Sequence, residues 1–177
     1  MKKAIVILCL VFSAVQTYAQ AGDLYGGLQA GYATFYKAPL YGVNLSYDVS
    51  NPLQISLTGL MNPNITKSAA WNQNIKEKLK LYSTNLDVRL FLINMESWAT
   101  GPSLGAQYLH KDKTTLLVSG AKEFYSDNLL GFNIGWHIKV NVTDNIRLQG
   151  GWRYSSMKDD DGYNLFYLGI GYAFNLF

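Results

Sequence analysis

Few residues in this chain are equipped for chemistry. The only imidazoles are His110 and His137. His137 stands two residues from Lys139 on one face of an alternating segment, and His110 is followed by Lys111, Asp112 and Lys113. Hydrolysis by a side-chain nucleophile needs a base within hydrogen-bond reach of that nucleophile and a carboxylate to orient the base. No such set is grouped around either histidine in the sequence. Asp87 and Arg89 alternate on one face, which Arg147, Arg153, His137 and Lys139 share in other segments. This pattern reads as a salt-bridged polar network inside a protein, with a polar path for small solutes as the alternative.

The other candidate motifs are weaker. Asp159-Asp160-Asp161-Gly162 matches part of a calcium loop but lacks the spaced ligands and distal glutamate of an EF-hand, so it reads as a solvated loop. Asn141-Val142-Thr143 fits a glycosylation acceptor and falls in a short turn. Cys9 is the only cysteine, and Leu8 before it is too bulky for a lipoprotein acylation site. No metal and no cofactor is expected. The net charge of +3 includes Lys2 and Lys3 and offers no clustered patch for nucleic acid.

The elements that must position these residues are strands. Alternate side chains of a strand point to opposite faces. Tyr41, Val43, Leu45, Tyr47 and Val49 share one face against Gly42, Asn44, Ser46 and Asp48. Leu53, Ile55, Leu57, Gly59 and Met61 oppose Gln54, Ser56 and Thr58. Tyr82 to Leu92, Leu130 to Val140, Ile146 to Tyr154 and Phe166 to Leu176 repeat the pattern. Two segments are less regular: Leu24 to Phe35, with Leu28, Ala30 and Tyr32 outward, and Ser97 to His110, where Pro102 suggests an edge or a bulge. Short turns at 48–52, 94–97 and 142–145 alternate with long connections at 61–80 and 111–127 and an intermediate one at 157–164. Short turns at one end and longer loops at the other are the asymmetry of bacterial transmembrane barrels.

Residues 1–21 read as an export signal. Lys2 and Lys3 precede an apolar run from Ala4 to Val15, and Thr17-Tyr18-Ala19 or Ala19-Gln20-Ala21 offers the small residues of a cleavage site. The expected organisation is a cleaved signal over 1–21 and one barrel domain over 22–177. The expected fold is all-β, a closed antiparallel up-and-down transmembrane barrel of about eight strands. Lipid tolerates no open sheet edge, so the first and last strands must pair.

A soluble barrel carries the same alternation with its apolar face inward. Three features favour the membrane. The polar face mixes Gly and Ser with charges that can pair in a narrow lumen. Large aromatics (Tyr25, Tyr41, Tyr47, Trp98, Tyr108, Trp136, Trp152, Tyr163 and Phe166) lie near segment ends, where rings anchor at lipid–water interfaces. The chain also closes on an aromatic strand, Tyr172-Ala173-Phe174-Asn175-Leu176-Phe177.

With its signal, its alternation and that ending, the chain resembles small Gram-negative outer-membrane barrels of the OmpA/OmpX-like kind, and Gln20 after the cleavage site resembles exported Bacteroidota proteins. The resemblance implies an outer-membrane location, contact with lipid and lipopolysaccharide, and assembly by the barrel-insertion machinery, which reads a C-terminal aromatic. One departure is visible: Phe177 shares parity with Ala173 and Asn175 rather than with Phe174. Either a bulge shifts the end, or Phe174 or Leu176 is the residue read. Such barrels include lipid A acylases and deacylases, the latter with a His-x-Ser pair. Ile138 and Lys139 follow His137, and Lys111 and Asp112 follow His110, so neither histidine matches. The expected role is therefore non-enzymatic: envelope integrity, or adhesion and partner binding through loops 62–80 and 111–127. A lipid A-modifying enzyme and a narrow small-solute channel are the alternatives.

Overall fold

In a computed structural model of the chain, described for residues 22–69, 72–116, 121–158 and 160–174, eight long strands form one closed sheet. They are β1 (Leu24–Ala33), β2 (Ala38–Ser50), β3 (Leu53–Ala69), β4 (Asn72–Leu90), β5 (Trp98–Leu116), β6 (Lys122–Asn141), β7 (Ile146–Met157) and β8 (Asp160–Phe174). Each pairs antiparallel with its sequence neighbours. A two-residue ladder, Ile93–Asn94 against Ala99 and Thr100, tightens the β4–β5 turn. The sheet closes where β1 meets β8, in register from Leu24↔Phe174 to Ala33↔Leu165. Closure gives every strand two neighbours within the wall, as a hydrocarbon surround requires. The signal assigned to residues 1–21 and the end at Phe177 lie outside the described residues.

Which face is outward is settled by burial. Leu28, Val43, Leu57, Leu86, Leu104, Phe132, Ile134, Leu168 and Ile170 are exposed, while Asn44, Ser56, Asp87, Asn133, His137 and Arg153 are buried. The apolar face is the outer wall and the polar face is the lumen, the reverse of a soluble barrel. On the outer wall, Trp136 stands opposite Trp152, Trp152 opposite Phe166, and Phe166 opposite Tyr32, an aromatic row crossing four strands. Tight curvature needs missing side chains. A Cβ on Gly42 would lie 1.9 Å from the Gly59 carbonyl oxygen, so β2 and β3 approach there only because the residue is glycine.

Two expectations need correction. Over their described residues, the connections 61–80 and 111–127 are paired strand and not loop. β3 and β4 stay paired out to Ala69↔Asn72, β4 and β5 to Lys76↔Leu116, and β5 and β6 to Leu116↔Lys122. The physical reason is that the alternation continues with its polarity inverted. From Val88 up to Tyr82 the even positions of β4 are mostly apolar and outward; beyond Tyr82 they are Lys80 and Lys78, while Leu81 and Leu79 turn inward. Water has replaced lipid outside. Second, Tyr25 and Tyr163 are not at a lipid interface; both are buried in the lumen. Pro102 keeps unbroken register with Trp136 on β6, but on the β4 side the ladder stops at Arg89↔Ser103 and resumes at Ile93↔Thr100, three residues against two, so the proline lies at a bulge-like break of that ladder.

Candidate functional site

The lumen gathers the predicted polar residues. Asp87 projects from β4 and accepts a hydrogen bond from Arg153 Nη2 of β7; Arg89 Nη2, two residues along β4, lies 4.0 Å from the same carboxylate. Arg89 Nη1 donates to Gln54 Oε1 at 2.9 Å and to Gln149 Oε1 at 3.1 Å. It also faces His137 Nε2 at 3.4 Å. A guanidinium only donates, so this geometry assigns Nε2 as acceptor and leaves Nδ1–H to donate to the Tyr167 hydroxyl, 2.9 Å away. A second centre lies nearer the short turns: Asp48 receives Lys139 at 3.2 Å and Arg147 at 3.0 Å. Lys139 also covers the Phe91 ring at 4.3 Å.

All six residues predicted for the network are thus inside and joined in two clusters. Asp48, Gln54 and Gln149 were missed as members, although their parity already placed them on the polar face. Tyr25 belongs here too, donating to the Arg147 carbonyl at 3.1 Å. An extended ring with a polar tip suits a lumen as well as an interface, so its residue type alone did not decide.

A second internal layer had not been expected. Toward the end that carries the long hairpins, every strand turns an apolar residue inward: Ala33, Leu40, Leu60, Leu81, Leu109, Leu129, Met157 and Leu165, all buried. Tyr36, from the β1–β2 turn, packs on Tyr163 with ring centroids 5.4 Å apart and closes the layer above. Apolar side chains packed across a lumen of about eight strands form a dry septum. On its other side a polar mouth of about 380 Å³, lined by Asp23, Asp48, Lys139 and Arg147, opens between the short turns. Beyond the septum lies a cup of about 830 Å³, bounded by Phe35, Tyr36, Leu79 and Tyr125.

Both ring nitrogens of each histidine have a partner. His137 is committed to Arg89 and Tyr167. His110 is held by Asn128 Oδ1 at 2.7 Å and Asp112 at 3.3 Å, one partner on each ring nitrogen. No cluster of three metal-ligating side chains occurs among the described residues. The predicted interface aromatics Tyr41, Trp136, Trp152 and Phe166 point outward, and Trp98 is half-buried. Phe174 is outward on β8.

Comparison with known proteins places this architecture. The outer membrane protein beta-barrel domain matches residues 5–174. The chain belongs to that family. Among solved members of the fold, a major outer membrane protein of Thermus thermophilus superposes with a TM-score of 0.68 at 14% identity, over 88% of this chain and 100% of that one. The N-terminal barrel domain of Pseudomonas aeruginosa OprF gives 0.56 at 17%, over 87% and 100%. The attachment invasion locus protein Ail of Yersinia pestis gives 0.53 at 21%, over 86% and 97%. No curated protein matches the chain by sequence. At these identities the shared feature is the outer-membrane barrel itself.

Proposed function

We propose that this barrel is a non-enzymatic envelope protein that anchors a rigid sheet outside the membrane for contact with a partner. One observation carries the reading: β3 to β6 continue as a four-stranded ladder above the wall formed with β1, β2, β7 and β8. The β2–β3 ladder stops at Tyr41↔Met61 and the β6–β7 ladder begins at Gly131↔Met157. Both margins of the projecting sheet therefore lie beyond any neighbour among the described residues. Such margins, with the aromatic-walled cup beneath them, are surfaces for recognition. The apolar septum supports an anchor over a solute path. The attachment role in the name of Ail, a barrel of the same fold, is consistent with display.

The test is to express the exported chain in a Gram-negative host lacking it, beside a variant in which 66–76 and 113–123 are replaced by tight turns. The host's adherence to immobilised serum proteins, and its autoaggregation, should rise with the intact chain and not with the trimmed one. Equal values for both, with both barrels folded, would reject display. Unchanged lipid A mass spectra are expected throughout; a mass shift that depends on the chain would favour the enzyme instead.

A further inference from the structure

The charges inside the barrel do not balance. Among the described residues, Arg89, Lys139, Arg147 and Arg153 are buried cations, and Asp87 is the buried anion. Asp48 is half-buried and is taken by Lys139 at 3.2 Å and Arg147 at 3.0 Å. Asp23 lies 3.8 Å from Arg147 at the rim, so this outer cluster sets two carboxylates against two cations. The inner cluster lacks that balance. Asp87 alone stands against Arg89 and Arg153, and all three are at most 1% exposed. His137, whose Nε2 accepts from Arg89, is neutral. A guanidinium stays protonated in a protein, so the inner cluster holds one positive charge in excess. Burying a charge without a counter-charge is strongly unfavourable.

The same place has donors to spare. Arg89 Nε and Nη2 and Arg153 Nε and Nη1 have no hydrogen-bond partner among the described residues, and neither do the Asn133 amide and the Ser155 hydroxyl. The register groups them. Ser155 follows Arg153 two residues along β7, and Asn133 of β6 pairs with Ser155. Arg89 and Arg153 share a row across Ser103 and Gly135, and Asp87 and Asn133 share the next row across Gly105. Ser103, Gly105 and Gly135 project a hydroxymethyl group or nothing, so the wall between the two arginines fills little of the lumen. Asp87 Oδ1, Asn85 Oδ1 and Gln107 Oε1 are unpaired as well. Internal water can serve donors and acceptors alike, but it brings no charge.

We infer that Arg89, Arg153, Asn133 and Ser155 hold a small monovalent anion of the halide class inside the lumen. The excess of one charge sets the valence. A lumen of about eight strands is nearly filled by side chains, which sets the size. The ion reaches the site from the polar mouth lined by Asp48, Lys139 and Arg147, and the apolar septum closes the other side. The site is thus a blind counter-ion site and not a conducting path. The inference rests on the barrel's interior and not on the partner reading above.

Bromide is the probe. The full barrel, refolded in detergent in sodium gluconate, is titrated with sodium bromide at constant ionic strength while the urea midpoint is followed by tryptophan fluorescence. Crystals grown in bromide are read for anomalous scattering. The wild-type midpoint should rise and saturate with bromide, and an anomalous peak should lie between Arg89 and Arg153. Ser155→Ala removes one hydrogen bond to the ion and should weaken bromide about tenfold. Asp87→Asn leaves two cations without their carboxylate and should bind bromide more tightly than the wild type. Arg153→Gln cancels the excess and should lose the dependence; if that variant does not fold, the opposite shifts of Ser155→Ala and Asp87→Asn decide. A midpoint indifferent to bromide, a lumen without the anomalous peak, or the same bromide dependence in the wild type, Ser155→Ala and Asp87→Asn would each overturn the proposal.

Discussion

Asp87 shows what a single residue contributes to this interior. Its carboxylate is fully buried and serves two guanidiniums, Arg153 in contact and Arg89 at 4.0 Å. Removing one member of a buried pair leaves the other charge without compensation. Asp87→Asn should lower the unfolding free energy in lipid vesicles by about 3 kcal/mol, read by urea titration of tryptophan fluorescence. In an Arg153→Gln background the same substitution should cost less, since one of the stranded charges is already gone. Equal effects in both backgrounds would show that the pair is not coupled. These partners could be anticipated in the sequence, because parity alone put Asp87, Arg89, His137, Lys139, Arg147 and Arg153 on one face. Which carboxylate meets which cation could not, because Asp48 and Lys139 are 91 residues apart and depend on closure.

At the scale of elements, the regular strands were legible wherever one face met lipid. Constant parity of apolar residues marked Leu53 to Met61 and Leu130 to Val140 without ambiguity. Sequence reasoning lost the strands at the membrane boundary, where Tyr82 gives way to Lys80 and the solvent outside changes. The same change of sign hid the septum: Leu60, Leu81, Leu109 and Leu129 have the parity of the polar face and look like exceptions to it. Two outcomes follow. Replacing 66–76 and 113–123 by tight turns should leave a folded, heat-modifiable barrel, because the wall below Met61 and Tyr82 keeps all its ladders; loss of the folded band would show that the projecting sheet is needed for assembly. Leu81→Ser with Leu109→Ser should wet the septum. Planar bilayers holding the wild type should give flat traces, and the double variant should give resolvable conductance steps. Steps already present in the wild type would mean that the layer does not seal the lumen.

For the whole molecule, three zones stack along one axis: a polar, charge-paired lumen, an apolar septum, and a sheet that leaves the membrane on one side only. The hydrophobic exterior and the backbone's need for hydrogen bonds explain the closed wall. Neither explains the sheet, whose strands exceed what a bilayer needs; about 9–11 residues span it, whereas β4, β5 and β6 have 19, 19 and 20. That excess underlies the display reading. One measurement tests it together with the membrane placement: a nitroxide scan along β4 from Lys78 to Val88, in lipid vesicles, with oxygen and a water-soluble nickel chelate as relaxants. Even positions should be accessible and odd positions protected over the whole range. Oxygen should dominate at Thr84, Leu86 and Val88, and nickel at Lys80 and Lys78. Loss of the two-residue period above Tyr82 would mean that a loop and not a projecting strand leaves the membrane, and oxygen dominating at Leu81, Ser83 and Asp87 would mean that the barrel is inside out.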